Sequence, residues 1–296
     1  MKYFDFLERK NFSRSVVIPA LFNAGLDKKA LLLSQCGHFK DIAVCKECGD
    51  REFYGFCCCR DRFCPICEKK RSLLWFAKLV PVTQDLLGEG KILNMMTLTI
   101  PDQQDLKNAL KCLLGTWRNF THQNLKQSKE FKRRFIGGIR FLEVKRGKNS
   151  KLWHPHFHLI VVKDSKERDF EWLVESWSKS YSLFAKQKVQ CNVDIRPFKF
   201  TKKDELLKSV LEVCKYVSKF DWSNENVNDI AEFVDCLANV RSVSSWGIFR
   251  EKLKGDVEEE MNMPLLDLKQ LVCKTCGSKN WDVLEGVTAN YIGGLL

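Results

Sequence analysis

The sequence predicts an α+β fold in which helices pack on a central antiparallel sheet. Four short apolar stretches typical of strands alternate irregularly with segments of helical periodicity, which disfavours a doubly wound parallel sheet. A second observation separates the N-terminal region, because eight of the 14 cysteines lie between Cys36 and Cys67. This stretch holds few core residues and needs a metal to fold. We therefore expect a cysteine-rich module over 1–70, a main domain over 71–255 and a tail over 256–296.

Composition indicates a polyanionic partner such as nucleic acid. The 296 residues include 49 Lys and Arg against 37 Asp and Glu, which gives a formal net charge of +12. Charged residues interrupt the N-terminal segment, which excludes a signal peptide, and no stretch approaches the roughly 18 apolar residues of a membrane span. We expect a cytoplasmic protein with no membrane partner, whose reduced cysteines bind metal or fill the core.

The main domain is predicted to begin with a helix, a strand and a second helix. Apolar residues at helical spacing predict a helix over 68–90, which Gly88 ends and which Pro81 kinks or breaks. The short apolar run over 92–100 is typical of a buried strand. The helix that follows it carries leucines on one face, so we expect that face to pack against the sheet.

The remaining elements begin with a β-hairpin. Two strand-like runs within 135–162 flank a polar turn that contains glycine. Farther along the chain, the patterns predict a helix, a strand and two more helices, at about 168–184, 189–200, 203–220 and 227–239.

Three of the five histidines stand on alternate positions of the second hairpin strand. Alternate residues of a strand face the same side, so His154, His156 and His158 project together. Glu143 lies opposite His156 if the turn centres near Asn149. Two imidazoles and one carboxylate suit Mn²⁺ or Mg²⁺ with open positions for a phosphate. The uncertain register leaves two assignments open, with either Glu143 or His154 as the third ligand.

A later helix carries a candidate nucleophile. Lys208, Glu212, Tyr216 and Lys219 stand at spacings of four, four and three, so they share one helix face. A phenol that attacks a metal-polarised phosphodiester would form a phosphotyrosine, and a neighbouring lysine would stabilise the phenolate or the developing phosphate charge. The alternative is an amphipathic helix with a solvated charge stripe and a tyrosine packed at its edge.

These motifs resemble those of a known family. "MMTLTI" (95–100), "HPHFHLIV" (154–161) and "KYVSK" (215–219) are similar to the three motifs of the HUH endonucleases, in particular the rolling-circle replication initiators, or Rep proteins, of small plasmids. The segments 59–75 and 238–251 resemble a cysteine signature and an arginine and glycine segment of the same initiators. The motifs follow the order of that family over most of the chain.

The resemblance implies a nickase that cuts one DNA strand at a single-stranded or hairpin origin. Attack by Tyr216 would leave a 5′-phosphotyrosine and free a 3′-hydroxyl as primer for a host polymerase; whether a host helicase also acts stays open. The resemblance places the metal on His156 and His158, and it implies that Glu212 serves the termination step. We prefer Glu143 as the third metal ligand and expect Lys219 to assist Tyr216. It also implies an antiparallel sheet of about five strands with helices packed on it.

The cysteines predict structural zinc. Four of them have the spacing C-x₂-C-x₁₅-C-x₂-C, typical of one tetrahedral site: Cys45, Cys48, Cys64 and Cys67. The resemblance implies a different ligand set that uses Cys36 and Cys59. One zinc with two possible ligand sets and two zincs therefore both stay open. A further pair, Cys273 and Cys276, is either inert or completes a site with a surplus N-terminal cysteine.

Basic side chains mark candidate DNA-binding surfaces. Besides a basic run over 129–134, they lie at the hairpin tip and in the strand beyond it: Arg146, Lys148, Lys151, Arg196 and Lys199. Phe198 and Phe200 interleave with the second set, a pattern that suits stacking on unpaired bases. Any single run is as compatible with a solvated face as with a DNA contact.

Two rival functions stay open. A transposase or mobilisation relaxase of the HUH class would share every catalytic residue named above. A zinc-dependent DNA-binding regulator without catalysis would use the basic surface alone, and the histidine triplet argues against it.

Overall fold

The computed structural model of the chain describes residues 3–37, 39–56, 58–122, 124–166, 169–198, 203–214, 227–253, 257–261 and 271–285. The chain divides into two compact units, one of residues 1–71 with 255–296 and the other of residues 72–254. The C-terminal segment, which the sequence set apart as a tail, therefore groups with the cysteine-rich N-terminal region.

The described residues form helices and strands in both units. The helices are α1 Tyr3–Phe12, α2 Ile18–Asn23, α3 Asp27–Ser34, α4 Pro65–Gly88, α5 Leu106–Thr121, α6 Lys126–Arg134, α7 Phe170–Ala185, α8 Lys203–Cys214, α9 Val227–Leu237, α10 Gly247–Lys252 and α11 Val257–Glu260. The strands are β1 Phe39–Cys45, β2 Arg51–Phe56, β3 Ile92–Thr99, β4 Gly137–Arg146, β5 Trp153–Lys163, β6 Val193–Pro197, β7 Val243–Trp246 and β8 Trp281–Glu285. A π-helical stretch, Ser13–Val17, joins α1 to α2.

The first unit combines N-terminal helices with a three-stranded antiparallel sheet of order β2-β1-β8. Val17, Leu21 and Leu33 are buried and give the helices a small core. The sequence did not predict these helices, because their apolar residues show no clear period. Strand β1 pairs with β2 on one side and with β8 on the other, so the sheet joins segments from opposite ends of the chain.

The second unit is built on a five-stranded sheet of order β6-β3-β5-β4-β7, and every pairing is antiparallel. This confirms the predicted α+β class and the sheet of about five strands. Four of the strands follow the apolar stretches of the sequence. The residue pattern did not predict β7, because its four residues are all half-buried and show no alternation.

Helices cover both faces of this sheet. On one face, α4, α8 and α10 contribute apolar residues to a shared core with β3, β4 and β5. On the other face, Trp117 of α5 lies 5.5 Å from the ring of Phe157. Helix α4 continues through Pro81, so the chain does not break there. Leu79 and Val82, on either side of this proline, are buried, and their packing offsets the missing backbone donor.

The structure describes only part of the helix that the sequence predicts over 203–220. The helix expected over 203–220 is seen as α8, and its last six residues lie outside the described part of the chain. Among the described residues, no helix combines the length and the apolar character that crossing a bilayer requires.

Candidate functional site

The β4–β5 hairpin brings the candidate metal ligands together. Its register places Glu143 directly opposite His156, as predicted for a turn near Asn149. His158 stands two residues farther along β5 and therefore on the same face. The Phe157 side chain points to the opposite face, where it is fully buried. The register of this hairpin thus brings the three side chains of the site together.

One carboxylate oxygen and two ring nitrogens converge at this point. Oε2 of Glu143 lies 2.5 Å from Nε2 of His156 and 3.0 Å from Nε2 of His158. Side chains of Glu143 and His156 are only 4% and 3% exposed, whereas that of His158 is 13% exposed. The three groups could hold a metal ion. Two imidazole nitrogens and one carboxylate oxygen are a donor set that fits Mn²⁺ or Mg²⁺ with positions left for a substrate.

The other ring nitrogen of each histidine is held by a second contact. Nδ1 of His156 lies 3.2 Å from the carbonyl oxygen of His154, to which it can only donate. Nδ1 of His158 lies 3.2 Å from Oγ1 of Thr97, on the neighbouring strand β3. Contacts of this kind fix the tautomer and the ring orientation of metal-ligating histidines. They direct both Nε2 atoms towards Glu143.

The electrostatics of the hairpin suit cation binding. Burial opposes ionisation of Glu143, but its close contacts with His156 and His158 hold the pKa of this carboxyl well below its usual range. Burial lowers the pKa of His156, against the opposing effect of the carboxylate. An ionised carboxylate beside a neutral imidazole is the protonation state that metal ligands require.

His154 stands outside this group of three. Its Nδ1 lies 2.5 Å from Oδ1 of Asp102, and Ser150 donates a hydrogen bond to the same carboxylate. The sequence left either Glu143 or His154 open as the third metal ligand. In the structure, Glu143 lies beside His156 and His158, whereas His154 contacts Asp102. Sequence reasoning missed Asp102 and Thr97, because their contacts depend on β3 pairing with β5, which the pattern did not specify.

Helix α8 packs on the face of the sheet that carries the ligands. Val210 and Val213 are buried in the same core as Ile160, which alternation places on the His158 side of β5. Glu212 is half-buried on this helix. Both Tyr216 and Lys219 lie outside the described residues, two and five positions beyond the end of α8.

The basic residues of the hairpin tip have different environments. Arg146 forms an ion pair with Asp229, and its guanidinium lies 3.7 Å from the ring centre of Trp153. By contrast, Lys148 and Lys151 are exposed at the turn. The guanidinium of Arg146 therefore serves the packing of the hairpin, and the two lysines present their charges to solvent.

The second basic set lies on and beyond β6. Arg196 is exposed and forms an ion pair with Asp194 at 2.8 Å. Phe198 is buried in the core, so the prediction that its ring stacks on bases is wrong. Its hydrophobic side chain is held between the sheet and α4 and α8 rather than on the surface. Lys199 and Phe200 lie outside the described residues.

Among the cysteines that the structure describes, two clusters form that the spacing motif did not separate. One contains Cys36, Cys59, Cys64 and Cys67; the other contains Cys45, Cys48, Cys273 and Cys276. The structure therefore divides the four cysteines of the C-x₂-C-x₁₅-C-x₂-C spacing between two clusters. The first cluster contains Cys36 and Cys59, the two cysteines that the family resemblance implies as ligands. Spacing alone could not reveal this division, because it does not say which pairs meet.

The first cluster is largely buried. Sγ of Cys36 and Sγ of Cys67 lie 3.5 Å apart, and Cys59 lies 3.7 Å from Cys67. Hydrogen bonds from the neighbouring thiols, that of Cys36 first, lower the pKa of Cys67. Four sulfurs that meet inside a protein are a set of ligands for a tetrahedral metal ion with no position left for a substrate.

Comparisons with known proteins agree with these features. A family model described as replication protein matches residues 51–278. The chain is similar to a protein rep of a Bacillus species, with 25% identity over 261 residues that cover 80% of this chain and 81% of the relative. A protein rep of Lentilactobacillus hilgardii is 26% identical over 252 residues, 81% of this chain and 79% of that protein. No solved structure matches the chain.

Proposed function

The chain belongs to the replication protein family of plasmid rolling-circle initiators, and on that premise we propose that it nicks one strand of an origin through Tyr216. The observation that carries this proposal is the convergence of Glu143, His156 and His158 on the face of the sheet where α8 packs. A nickase of this kind needs a divalent cation beside a phosphodiester and a phenol within reach of it.

The three ligands would hold Mn²⁺ or Mg²⁺. When bound, the ion would supply Lewis-acid polarisation of the scissile phosphodiester. Glu143 contributes the negative charge that attracts the cation, and burial strengthens that attraction. His156 and His158 contribute nitrogens whose directions the contacts at Nδ1 hold in place. The ligands are therefore oriented before DNA binds, which reduces the cost of reorganisation during the reaction.

The nucleophile in this proposal is the phenol of Tyr216. Its oxygen attacks the phosphorus of one phosphodiester, so that a tyrosine–phosphate bond forms while the bond from phosphorus to the 3′ oxygen breaks. The proton lost by the phenol is balanced by one that the leaving 3′ oxygen takes up. Lys219 stabilises the phenolate or the developing phosphate charge. At termination, Glu212 activates either a 3′-hydroxyl, whose attack on the phosphotyrosine rejoins the strand and releases the phenol, or a water, whose attack releases the phenol and leaves a 5′-phosphate.

The DNA partner in this proposal is a single strand or a hairpin at the origin. The net charge of +12 favours binding to phosphates, and the exposed Lys148, Lys151 and Arg196 present cations near the hairpin tip and on β6. The free 3′-hydroxyl would prime a host polymerase in the cytoplasm. A zinc ion at Cys36, Cys59, Cys64 and Cys67 would support the N-terminal region without taking part in the chemistry.

Covalent trapping tests this proposal. The full chain is incubated with Mn²⁺ and a library of origin-like single-stranded oligonucleotides, and products are separated on a denaturing gel. We expect a protein–DNA adduct that disappears with Tyr216→Phe and after treatment with a chelator. Tyr181→Phe is the matched control, because Tyr181 is a buried core tyrosine and its variant should keep the adduct. DNA binding without any adduct, or an equal yield from Tyr216→Phe, would contradict the nickase and favour a non-catalytic regulator.

A further inference from the structure

The same short motif occurs in both chain segments of the first unit. Residues 45–49 read CKECG and residues 273–277 read CKTCG. Both segments form the same turn: Gly49 and Gly277 have φ values of 76° and 74°, and their N–H groups donate to the carbonyls of Cys45 and Cys273 at 2.9 and 2.8 Å. A positive φ favours glycine, which explains the residue after each second cysteine.

The two turns meet through their sulfurs. Sγ of Cys45 lies 3.5 Å from Sγ of Cys276, and Sγ of Cys48 lies 3.5 Å from Sγ of Cys273. Backbone N–H groups also donate to these sulfurs, among them that of Cys48 to Cys45 and that of Asp50 to Cys48. Both the pairing of the sulfurs and their surroundings are therefore those of a ligand set.

Packing alone gives this region little stability. Its hydrophobic cluster contains Ala43, Cys45, Cys273 and Trp281, with Leu271 packed against it, so two of its four buried members are the cysteines themselves. Strand β8 adds backbone pairing to β1, but a sheet of three short strands with so small a core is marginal. Small units of this kind usually depend on a metal or a disulfide for stability.

We propose that Cys45, Cys48, Cys273 and Cys276 bind a zinc ion, distinct from any ion at the buried cluster, and that this ion fastens residues 271–285 to strand β1. Zinc suits four thiolates in a tetrahedral arrangement. Cys48 and Cys276 are exposed, and zinc has no redox chemistry that solvent could disturb. The ligand pairs are about 225 residues apart, so the ion closes a loop that includes the whole second unit.

Metal counting on the purified full chain tests this second site. Elemental analysis should find two zinc ions per wild-type chain. The double variant Cys273→Ser with Cys276→Ser should retain one. The control, Cys236→Ser, removes a half-buried thiol outside both clusters and should retain two. No zinc in the wild-type chain, iron in place of zinc, or as much zinc in the double variant as in the wild type would overturn the proposal.

Thiol labelling of the wild-type protein gives a second test that does not depend on the folding of a variant. Cys48 and Cys276 are exposed, so without a metal they should react readily with an alkylating reagent. In the protein as purified, bound zinc should protect both, and a chelator should expose them before the buried Cys64 and Cys67. Peptide mapping by mass spectrometry measures the order. Equal labelling of Cys48 and Cys276 before and after chelation would overturn the proposal.

Discussion

Two candidate metal sites differ in how the chain brings their ligands together. One is formed by Glu143, His156 and His158, and the other by Cys45, Cys48, Cys273 and Cys276. Glu143 and His158 are 15 residues apart on two strands joined by one turn. Cys48 and Cys273 are 225 residues apart, in segments with a small shared core. A ladder of backbone hydrogen bonds therefore orders the hairpin without an ion, whereas the cysteine site needs the ion for its own structure. Metal loss should abolish activity at the first site and remove structure at the second.

Removal of a hairpin ligand should have the largest effect on activity. We expect His156→Ala to slow nicking by at least about 100-fold, because a bound cation contributes several kcal/mol to stabilising phosphoryl charge. The variant should keep its secondary structure, since the strands that carry the site are held by backbone pairing. Gel assays of oligonucleotide cleavage and circular dichroism measure the two effects. His122→Ala, which changes an exposed histidine elsewhere, is the control; an unfolded His156→Ala would undermine the contrast.

Loss of an orienting contact should have a moderate effect. Thr97→Val removes the hydroxyl beside Nδ1 of His158 while keeping the shape of the side chain. We expect Mn²⁺ affinity to fall about 10-fold, the lower end of the range for such contacts. Calorimetric titration of Mn²⁺ measures the change, and Thr97→Ser should restore the affinity. If Thr97→Ser binds as weakly as Thr97→Val, the hydroxyl is not what orients the ring.

Backbone strain at the cysteine site should have a smaller effect. Gly277→Ala places a Cβ on a residue with φ 74° but meets no atom within 4 Å, so its cost is conformational alone. We expect zinc binding at this site to weaken by about 1 kcal/mol, as measured by competition with a chromogenic chelator. Gly88→Ala adds a Cβ in equally open space at a residue without positive φ and should leave zinc binding unchanged.

The smallest effect is expected at Asp102. Asp102→Asn weakens the contact with His154, which lies outside the group of Glu143, His156 and His158. Mn²⁺ affinity should therefore stay at the wild-type value in the same titration. A fall as large as that of Thr97→Val would show that His154 acts as a ligand or controls one.

The hairpin illustrates what sequence can predict. Alternation placed His156 and His158 on one face, and the turn position gave the correct register with Glu143. Both rules are local, so they hold before the rest of the fold is known. Thr97 and Asp102 could not be found in this way, because their contacts depend on which strand lies beside β5.

The cysteines illustrate what the sequence could not settle. Their spacing suggested one site with Cys45, Cys48, Cys64 and Cys67, but the chain brings each pair to different partners. The repeat of CxxCG at 45–49 and 273–277 was the available signal for the second cluster. Contacts over such separations depend on tertiary structure, as does the short strand β7, which the pattern also missed.

Mapping the covalent adduct tests whether Tyr216 receives the DNA while Glu143, His156 and His158 hold the cation. Trypsin cleavage after Lys215 and Lys219 releases residues 216–219, which contain a single tyrosine. After reaction with Mn²⁺ and nuclease trimming, we expect this peptide to carry a 5′-linked nucleotide, and the Glu143→Gln variant to yield none. Nucleotide on any other tyrosine would contradict the role of Tyr216, and an undiminished yield from Glu143→Gln would contradict the role of the cation.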